Sequence, residues 1–519
     1  MIYLPYLAFI LIVIITKFRE SIIFLKRVNI EKSINSFSDK KIFIVLVLST
    51  ILTQFWTTNQ ETIDWDINTF IIAGQDLLRG NLPYIQQYEF KGPILPLIYS
   101  IPVFFNKLYV VKLFNDLTLS VLVCQIYSIS KKINVDKPNL KNVLSALYFL
   151  LYMSYSQAHP GMSEIYGLFF ISLAINTLVK PINSKLDIFK SGAYIACAFL
   201  VTSSVVLFVI TIFLFFIYKL FLSKELIKIT NLIYGGLILP LVFIGIYSFN
   251  DSLYDLVFTL LIFPLFYTGG SSVSNMPEEF IKYIIEYIYM ENYFSLGLIS
   301  IFVFFIFIVT TPKVIYRLFR FENTSFNKQL FYSLTLASVC SFLILNNPHW
   351  HYMIYYFFFS SFILNFINYE KIKIPIYSLI LICVLNIFPF MIRDSYKIII
   401  DFENIEKAYP IYQDFKYINE NYKISSILPL DNHLILFYFN LPSEAKLIHP
   451  SNYFKSYIDL LIQNGIIPAD ELQNLILDGT PDLLVCKETL EVCKNLDQYQ
   501  QLSELNSNVI YFINKRLLN

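Results

Sequence analysis

The run SSVVLFVITIFLFFIY at residues 203–218 contains no charged side chain. Similar apolar runs of about 15–25 residues recur along the first 395 positions, long enough to cross a hydrocarbon core of about 30 Å. Two examples are KIFIVLVLSTILTQFW at 41–56 and YFSLGLISIFVFFIFIV at 293–309. Because the 519 residues are 56% hydrophobic and only 15% charged, the chain is typical of a helical protein that crosses a membrane repeatedly.

We predict about eleven membrane passages from these runs. The N-terminal run at 2–15 lacks a preceding charged region and a following cleavage site, so we expect it to be retained as a membrane segment rather than removed as a secretory signal. The passages at about 189–202 and 203–222 are predicted to be half-length elements or a broken pair, joined near 202–204. Broken helices at membrane depth line a cavity rather than lipid.

Lysine and arginine are concentrated in alternate connections, which predicts the orientation of the chain in the plasma membrane. The basic segments are 17–41, 131–141, 180–190, 219–228, 313–328 and Lys371 with Lys373. Residues 250–292, by contrast, contain acidic side chains and one lysine, Lys282. The outer side is therefore expected to hold residues 58–97, 157–164, 250–292, 346–352 and the tail, together with all five histidines. With a net charge of +1 and no basic face, a nucleic-acid partner is not expected.

Residues 396–519 have ordinary polarity and are predicted to form a small α/β domain on the outer face, after a transmembrane domain at 1–395. Helices are expected at 403–421, 451–464 and 469–478, and strands in ISSILPL (424–430), PDLLVCK (481–487) and NVIYFINKR (508–516). Cys486 and Cys493 have six residues between them, and either a disulfide or two thiols is compatible with an outer location. The cysteines in apolar spans are expected to be packing residues: Cys124, Cys197, Cys340 and Cys383.

The outer loop at 58–97 contains the stretch IDWDINTFIIAGQDLLRGNLPYIQQYEFKGPILPL (63–97), which combines four carboxylates and a lysine with apolar flanks. Apolar residues from Ile67 to Leu78 recur at helical spacing, with polar residues on the other side, which predicts an amphipathic helix lying in the membrane interface. Asp66 begins this helix. It is either the helix cap or a general base for an incoming hydroxyl group.

Lys91 precedes Gly92-Pro93, where a membrane-directed apolar run restarts, and lies near Glu89. A lysine at this boundary is either an anchor whose ammonium group reaches the interface or a ligand for an anionic group such as a lipid-linked phosphate. Because Lys91 is located on the side that is poor in positive charge, the second role, binding of an anionic group, is favoured.

The acidic residue, the helix ending in LLRGNLPY and the acidic residue near KGP resemble the first outer loop of polyprenyl-phosphate-sugar glycosyltransferases. These enzymes belong to the glycosyltransferase-C superfamily, which includes protein O-mannosyltransferases and the lipid A aminoarabinose transferase. The resemblance implies that Asp66 is the catalytic base, that Lys91 contacts the donor phosphate and that transfer inverts the anomeric carbon. Many relatives have Glu directly after the aspartate, whereas this chain has Ile67 there and its second acid, Asp64, upstream.

Two shorter stretches also resemble this family. HPGMSEIYGLFF (159–170) matches an outer turn in which an acidic residue, here Glu164, opens the next helix; a simple helix-terminal charge is the alternative. NNPHWHYMIYY (346–356) matches an HY element, here His351 and Tyr352 with His349 as an extra, and these side chains are expected either to bind substrate or to form an interfacial belt. His159, His433 and His449 belong to no motif and are expected at the surface.

We therefore expect an all-α polytopic membrane protein of the glycosyltransferase-C type, with amphipathic outer-loop helices and a C-terminal outer α/β domain. Its partners would be a polyprenyl-phosphate-linked sugar, membrane lipid and an acceptor glycan, lipid or protein. A divalent metal remains open, with Asp64, Asp66, Glu89 and His351 as candidate ligands. The alternatives are an O-antigen ligase or polymerase, and a transporter or flippase, for which Asp116 beside Lys112 would be the intramembrane carboxylate.

Overall fold

A computed structural model describes residues 36–54, 57–58, 60–62, 64–134, 139–155, 159–180, 184–268, 325–344, 352–366, 405–449, 455–487, 490, 493, 496–503 and 505–518. This part of the chain is mostly helical. The predicted passages at 2–15 and 293–309 lie outside the described residues, as do His349 and His351.

Helices dominate the first part of the chain. They are α1 (Asp39–Gln54), α2 (Trp65–Leu78), α3 (Ile94–Val103), α4 (Leu108–Ile133), α5 (Asn139–Tyr155), α6 (Ser163–Leu178), α7 (Lys185–Val201), α8 (Val206–Leu222), α9 (Ile229–Phe249), α10 (Leu253–Val257), α11 (Phe263–Thr268), α12 (Phe326–Ile344) and α13 (Met353–Ile363). Within the described residues, three stretches are long and apolar enough to cross a membrane: Leu108–Ile133, Ser203–Leu222 and Leu226–Phe249. The figure of about eleven passages stays a prediction.

The predicted break between the two apolar segments at 189–222 is confirmed. Helix α7 ends at Val201, Thr202 is extended, and a 3₁₀ turn at Ser203–Val205 precedes α8. The break leaves the carbonyl of Val201 without an intrahelical donor, and the N–H of Gly92 from the outer loop donates to it at 3.0 Å. The end of α7 therefore anchors the lysine-bearing loop.

An apolar cluster, here called the bundle core, joins α1, α4, α5, α6, α8 and α13. Leu119, Phe149, Ile171, Phe208 and Phe358 are among its fully buried members. On α9, by contrast, Leu237, Ile238, Leu241 and Val242 remain exposed, as expected of a surface that contacts lipid.

The C-terminal residues contain both helices and strands. The helices are α14 (Pro410–Asn421), α15 (Ile435–Phe439), α16 (Lys455–Gln463) and α17 (Glu471–Leu477), and the strands are β1 (Ile427–Pro429), β2 (Leu483–Cys486), β3 (Tyr499–Gln501) and β4 (Ile510–Asn514). Their sheet has the order β1-β2-β4-β3, with β1 and β2 parallel and the other pairs antiparallel. Three of these strands lie in the predicted stretches, whereas β3 was not predicted. Cys486, at the end of β2, forms a disulfide with Cys493.

A second apolar cluster, here called the outer core, contains side chains from both the outer loop and the C-terminal residues. Ile71 and Tyr88 come from the loop, and Leu436, Leu447 and Leu484 come from the C-terminal part. The predicted boundary at 395/396 lies outside the described residues, but the two sides of it share this core. The C-terminal residues are therefore part of the environment of the outer loop.

Glu61 joins the loop to the C-terminal residues by hydrogen bonds. Its carboxylate accepts the N–H groups of Ile411 and Tyr412, at 2.6 and 2.8 Å, and the hydroxyl of Tyr438 at 2.7 Å. The two N–H groups belong to the first turn of α14, where a carboxylate satisfies unpaired donors and interacts well with the helix dipole.

Candidate active site

The start of α2 separates the roles of its two aspartates. Asp64 is the N-cap, and its carboxylate accepts the N–H of Asp66 at 2.7 Å. The alternative in which Asp66 is only a cap is therefore wrong, because the neighbouring aspartate caps the helix. Burial, followed by the charge of Asp66, raises the pKa of Asp64 to about 6. The carboxylate of Asp66 lies in the first turn and remains available for other contacts.

The polar side of α2 is covered by protein, while the location of this helix in the membrane interface stays a prediction. Gln75 donates to the carbonyl of Phe437 at 3.1 Å, and Thr69 lies 2.8 Å from Nε2 of His433. Arg79 donates to the amide oxygen of Asn440 at 2.9 Å. Three contacts with residues of α15 or its flanks thus hold the helix under the C-terminal part of the chain.

Lys91 lies between two carboxylates. Its Nζ is 3.7 Å from Oε1 of Glu164 and 4.0 Å from Oδ2 of Asp66, and 16% of its side chain is exposed. Burial alone would lower the pKa of Lys91, but the charges of Glu164 and Asp66 outweigh it and hold the pKa well above its usual value. The ammonium group is therefore a stable positive charge in the site.

Backbone contacts hold the lysine in this position. The hydroxyl of Tyr84 donates to the carbonyl of Lys91, and Gly92 bonds to Val201 as described above. A Cβ at Gly92 would lie 1.9 Å from the carbonyl oxygen of Leu200, a distance that requires the main chain to move. The glycine of the KGP stretch is thus needed for the close approach of the loop to α7.

Glu164 and Glu89 complete the group of predicted side chains. Glu164 is in the first turn of α6, is only 1% exposed at its side chain, and accepts the hydroxyl of Ser163 at 3.1 Å. Glu89 is buried, which raises its pKa to about 6, and its Oε2 has no hydrogen-bond partner among the described residues. We call Asp64, Asp66, Glu89, Lys91 and Glu164 the carboxylate–lysine cluster.

Two histidines lie beside this cluster although they were expected at the surface, so that expectation is wrong. His449 Nε2 is 2.8 Å from Oδ1 of Asp66, and His433 is fully buried with its ring centroid 6.3 Å from that of His449. Burial lowers the pKa of His433 to about 3, so its ring is neutral. Neither histidine belongs to a short motif. The only sequence signal was that both were expected on the same side of the membrane as Asp66.

A cleft opens next to Lys91. Its apolar wall includes Phe70, Tyr84 and Leu95, and its polar residues include Gln87 and Glu89. The remaining lining residues are Ala73, Asp76, Asn81, Leu82, Pro83, Lys91, Pro96 and Ile448. Neither amide atom of Gln87 has a hydrogen-bond partner within the described part of the chain. Buried polar atoms without a partner are rare in native proteins. The amide of Gln87 could therefore form hydrogen bonds with a polar group of a ligand whose apolar part contacts the apolar wall.

Tyr352 is at the start of α13, is nearly buried, and lies close enough to Lys91 to contribute to the pKa shift of the lysine. The structure thus brings Tyr352 to the cluster, while the roles of His349 and His351 stay predictions. In the described ranges no group of three or more His, Cys, Asp and Glu side chains is arranged to hold a metal ion, and a metal stays an open question.

No protein-family model matches the chain, and no curated protein matches it. The chemistry of the cluster is therefore argued from its own geometry. It combines the partly exposed carboxylate of Asp66, whose Oδ1 contacts His449, with the ammonium group of Lys91, which lies 4.0 Å from Oδ2 of Asp66. Beside them is a cleft with both apolar and polar lining residues.

Proposed function

We propose that this protein is a membrane glycosyltransferase that moves a hexosyl or pentosyl group from a polyprenyl phosphate to an acceptor hydroxyl. The observation that supports it best is the position of Lys91 Nζ, 4.0 Å from Asp66 Oδ2, at the edge of a cleft with apolar walls. A positive charge beside a general base, next to an apolar surface, suits a substrate with a phosphate and a lipid chain.

The proposed reaction is a single displacement. The acceptor oxygen attacks the anomeric carbon and forms the new glycosidic bond, while its proton passes to Asp66. The bond between that carbon and the phosphate oxygen breaks, and the polyprenyl phosphate leaves with the electron pair. Lys91 stabilises the negative charge on the leaving phosphate. Attack opposite the leaving group inverts the anomeric carbon, in agreement with the resemblance to the glycosyltransferase-C superfamily.

The proposal includes a location. The cluster would lie at the outer face of the plasma membrane, where a lipid-linked donor reaches it laterally from the bilayer and the C-terminal residues cover it from outside. The alternation of basic and acidic connections supports this orientation. The three long apolar helical stretches support residence in a membrane.

Replacement of the base tests the proposal. In proteoliposomes with a radiolabelled polyprenyl-phosphate sugar, Asp66→Asn should lower the transfer rate by about 10²–10⁴-fold. Asp187→Asn is the matched control, because Asp187 is also in the first turn of a helix, α7, but is exposed and remote from the cluster. Full transfer by Asp66→Asn, or no transfer by the wild type with any such donor, would refute the proposal.

One observation favours transport as a second candidate function. Asp116 in α4 is buried, and neither of its carboxylate oxygens has a hydrogen-bond partner among the described residues. Carboxylates inside membrane helices often mark a transport pathway. A lipid-translocation assay in the same proteoliposomes separates the two candidates: a transporter would lose flux in Asp116→Asn and keep it in Asp66→Asn.

A further inference from the structure

The segment that carries His449 is held against the outer loop by backbone pairing. The N–H of Tyr88 donates to the carbonyl of Lys446 at 2.6 Å, and Tyr88 forms a parallel bridge with Leu447. On the other side, Ser443 bridges Ile427 at the start of β1. A segment fixed on both sides by main-chain hydrogen bonds delivers its side chains to defined positions, so the contact between His449 and Asp66 is built into the fold.

The two oxygens of Asp66 have different neighbours. Oδ1 is 2.8 Å from Nε2 of His449, whereas Oδ2 faces Lys91 at 4.0 Å. The side chain of Asp66 is 27% exposed and that of His449 only 9%, so the carboxylate is the more accessible member of the pair. A carboxylate that is hydrogen-bonded at one oxygen is restrained in orientation, and its second oxygen is presented in a fixed direction.

We infer that His449 is a positioning residue for the proposed transfer: its Nε2–H holds Oδ1 of Asp66 so that Oδ2 meets the acceptor hydroxyl beside the donor phosphate. This inference rests on the proposed function. It means that the first outer loop does not form a complete site by itself, and that the C-terminal residues supply a necessary part. The role requires an N–H donor at this position and does not require a charge.

Other charged and titratable groups surround the histidine, and they define the alternative of a purely electrostatic role. Asp64 and Asp66 lie at the start of α2, Glu89 lies on the loop, and the ring centroid of His433 is 6.3 Å from that of His449. If His449 acted by charge, a neutral amide in its place would not restore activity. If it acts by its hydrogen bond, glutamine, whose side-chain N–H₂ reaches a similar position, restores most of it.

The test measures kcat and KM for the lipid donor in full-length His449→Leu and His449→Gln. Loss of a hydrogen bond to a charged group should lower kcat about 10- to 100-fold in His449→Leu, with KM changed less than about threefold. His449→Gln should recover kcat to within about threefold to fivefold of the wild type. The matched control is His433→Gln, since this buried neighbour contacts Thr69 rather than Asp66 and should leave kcat within about twofold.

The outcomes distinguish the inference from the proposed function. If Asp66→Asn abolishes transfer but His449→Leu keeps the wild-type kcat, the positioning role is overturned and the transferase stands. If His449→Gln is as poor as His449→Leu, the hydrogen-bond role is likewise overturned. If the wild type transfers no sugar, the proposed transferase function and the positioning role of His449 in catalysis are both refuted. A double-mutant cycle of thermal unfolding with Asp66→Ala and His449→Leu, each of which removes one partner of the hydrogen bond, then shows whether the pairing exists, because zero coupling would refute the contact itself.

Discussion

The bundle core and the outer core are both apolar, yet they are assembled in different ways. The bundle core packs long helices whose apolar residues recur along continuous runs, as in α4 and α8. The outer core joins Tyr88 from a loop to Leu447 and Leu484 from segments more than 350 residues later. Local hydropathy therefore predicts helices that make up the first core, while it does not predict the segments that make up the second.

The two cores also differ in what they hold at their edges. The candidate site lies at the outer core, where buried carboxylates and Lys91 face a cleft. The described helices away from this site bury few ionisable side chains, among them Lys112, Asp116 and Lys141. Under the proposed function, the bundle would provide the membrane support and the outer core the chemistry, which can be tested by disturbing each core separately.

The largest effect is expected from removing the charge of Lys91. Lys91→Met should lower kcat/KM for the lipid donor by about 10²–10³-fold, because the leaving phosphate loses its counter-charge. Lys107→Met is the control, since Lys107 is more than half exposed and pairs with Glu406 away from the cluster. A folded Lys91→Met protein with kcat/KM near that of the wild type would remove the lysine from the reaction.

A pair of leucine substitutions compares the cores directly. Leu447 in the outer core and Leu119 in the bundle core are both fully buried, and truncation to alanine at such sites costs about 2–5 kcal/mol of unfolding free energy. Leu447→Ala should in addition lower the activity per folded molecule, because Leu447 is two residues before His449. Leu119→Ala should not. Thermal unfolding in detergent and the specific activity check this, and equal loss of specific activity in both variants would contradict the division of roles.

The disulfide Cys486–Cys493 should affect only the outer core. Loss of this short closed loop is expected to cost about 2–3 kcal/mol in the chain-entropy account. Reductant should lower the unfolding temperature of the wild type and leave a Cys486→Ser/Cys493→Ser double variant unchanged. The same double variant should keep helical content, measured by circular dichroism. A wild-type unfolding temperature that does not respond to reductant would contradict the prediction.

The smallest effect concerns Asp64. Burial and the charge of Asp66 raise its pKa to about 6, so the native state holds this proton more tightly than the unfolded chain does. An ionised Asp64 therefore destabilises the native state fully above about pH 6, and this penalty declines as the pH falls from the native pKa toward the unfolded value of 3.8. Asp64→Asn, which still caps a helix, should be more stable than the wild type at pH 7 and lose that advantage progressively between about pH 6 and pH 4. A stability advantage of Asp64→Asn over the wild type that grows as the pH falls would contradict the expected direction of this pH dependence.

Several features were predictable because they depend on neighbours in the chain. The apolar runs at 41–56 and 203–218 predicted α1 and α8, and the polar gap at 202–204 predicted the break before α8. The stretches at 424–430, 481–487 and 508–516 predicted β1, β2 and β4. The stretch at 63–97 predicted that Asp66 and Lys91 belong to one site, and the two side chains do lie close together. The chain turns after α2, and the loop that follows runs back to the first turn of that helix.

The errors have two physical causes. Asp66 was a candidate cap, but the carboxylate of Asp64, two residues earlier, accepts the N–H group instead, a choice between two local carboxylates. His433 and His449 were expected at the surface, but both are buried beside α2. The second outcome depends on contacts between distant segments, which no local periodicity records.

The sequence by itself determined that this chain has membrane-length apolar helices, a mixed outer region and an acidic loop with one lysine, because hydropathy and charge act residue by residue. Only the tertiary structure decided that His449 meets Asp66 and that Lys91 lies between Asp66 and Glu164. Glu164 is 73 positions from Lys91 along the chain, and His449 is 383 positions from Asp66. Contacts across such separations arise from the packing of the whole chain, and short sequence patterns do not contain them.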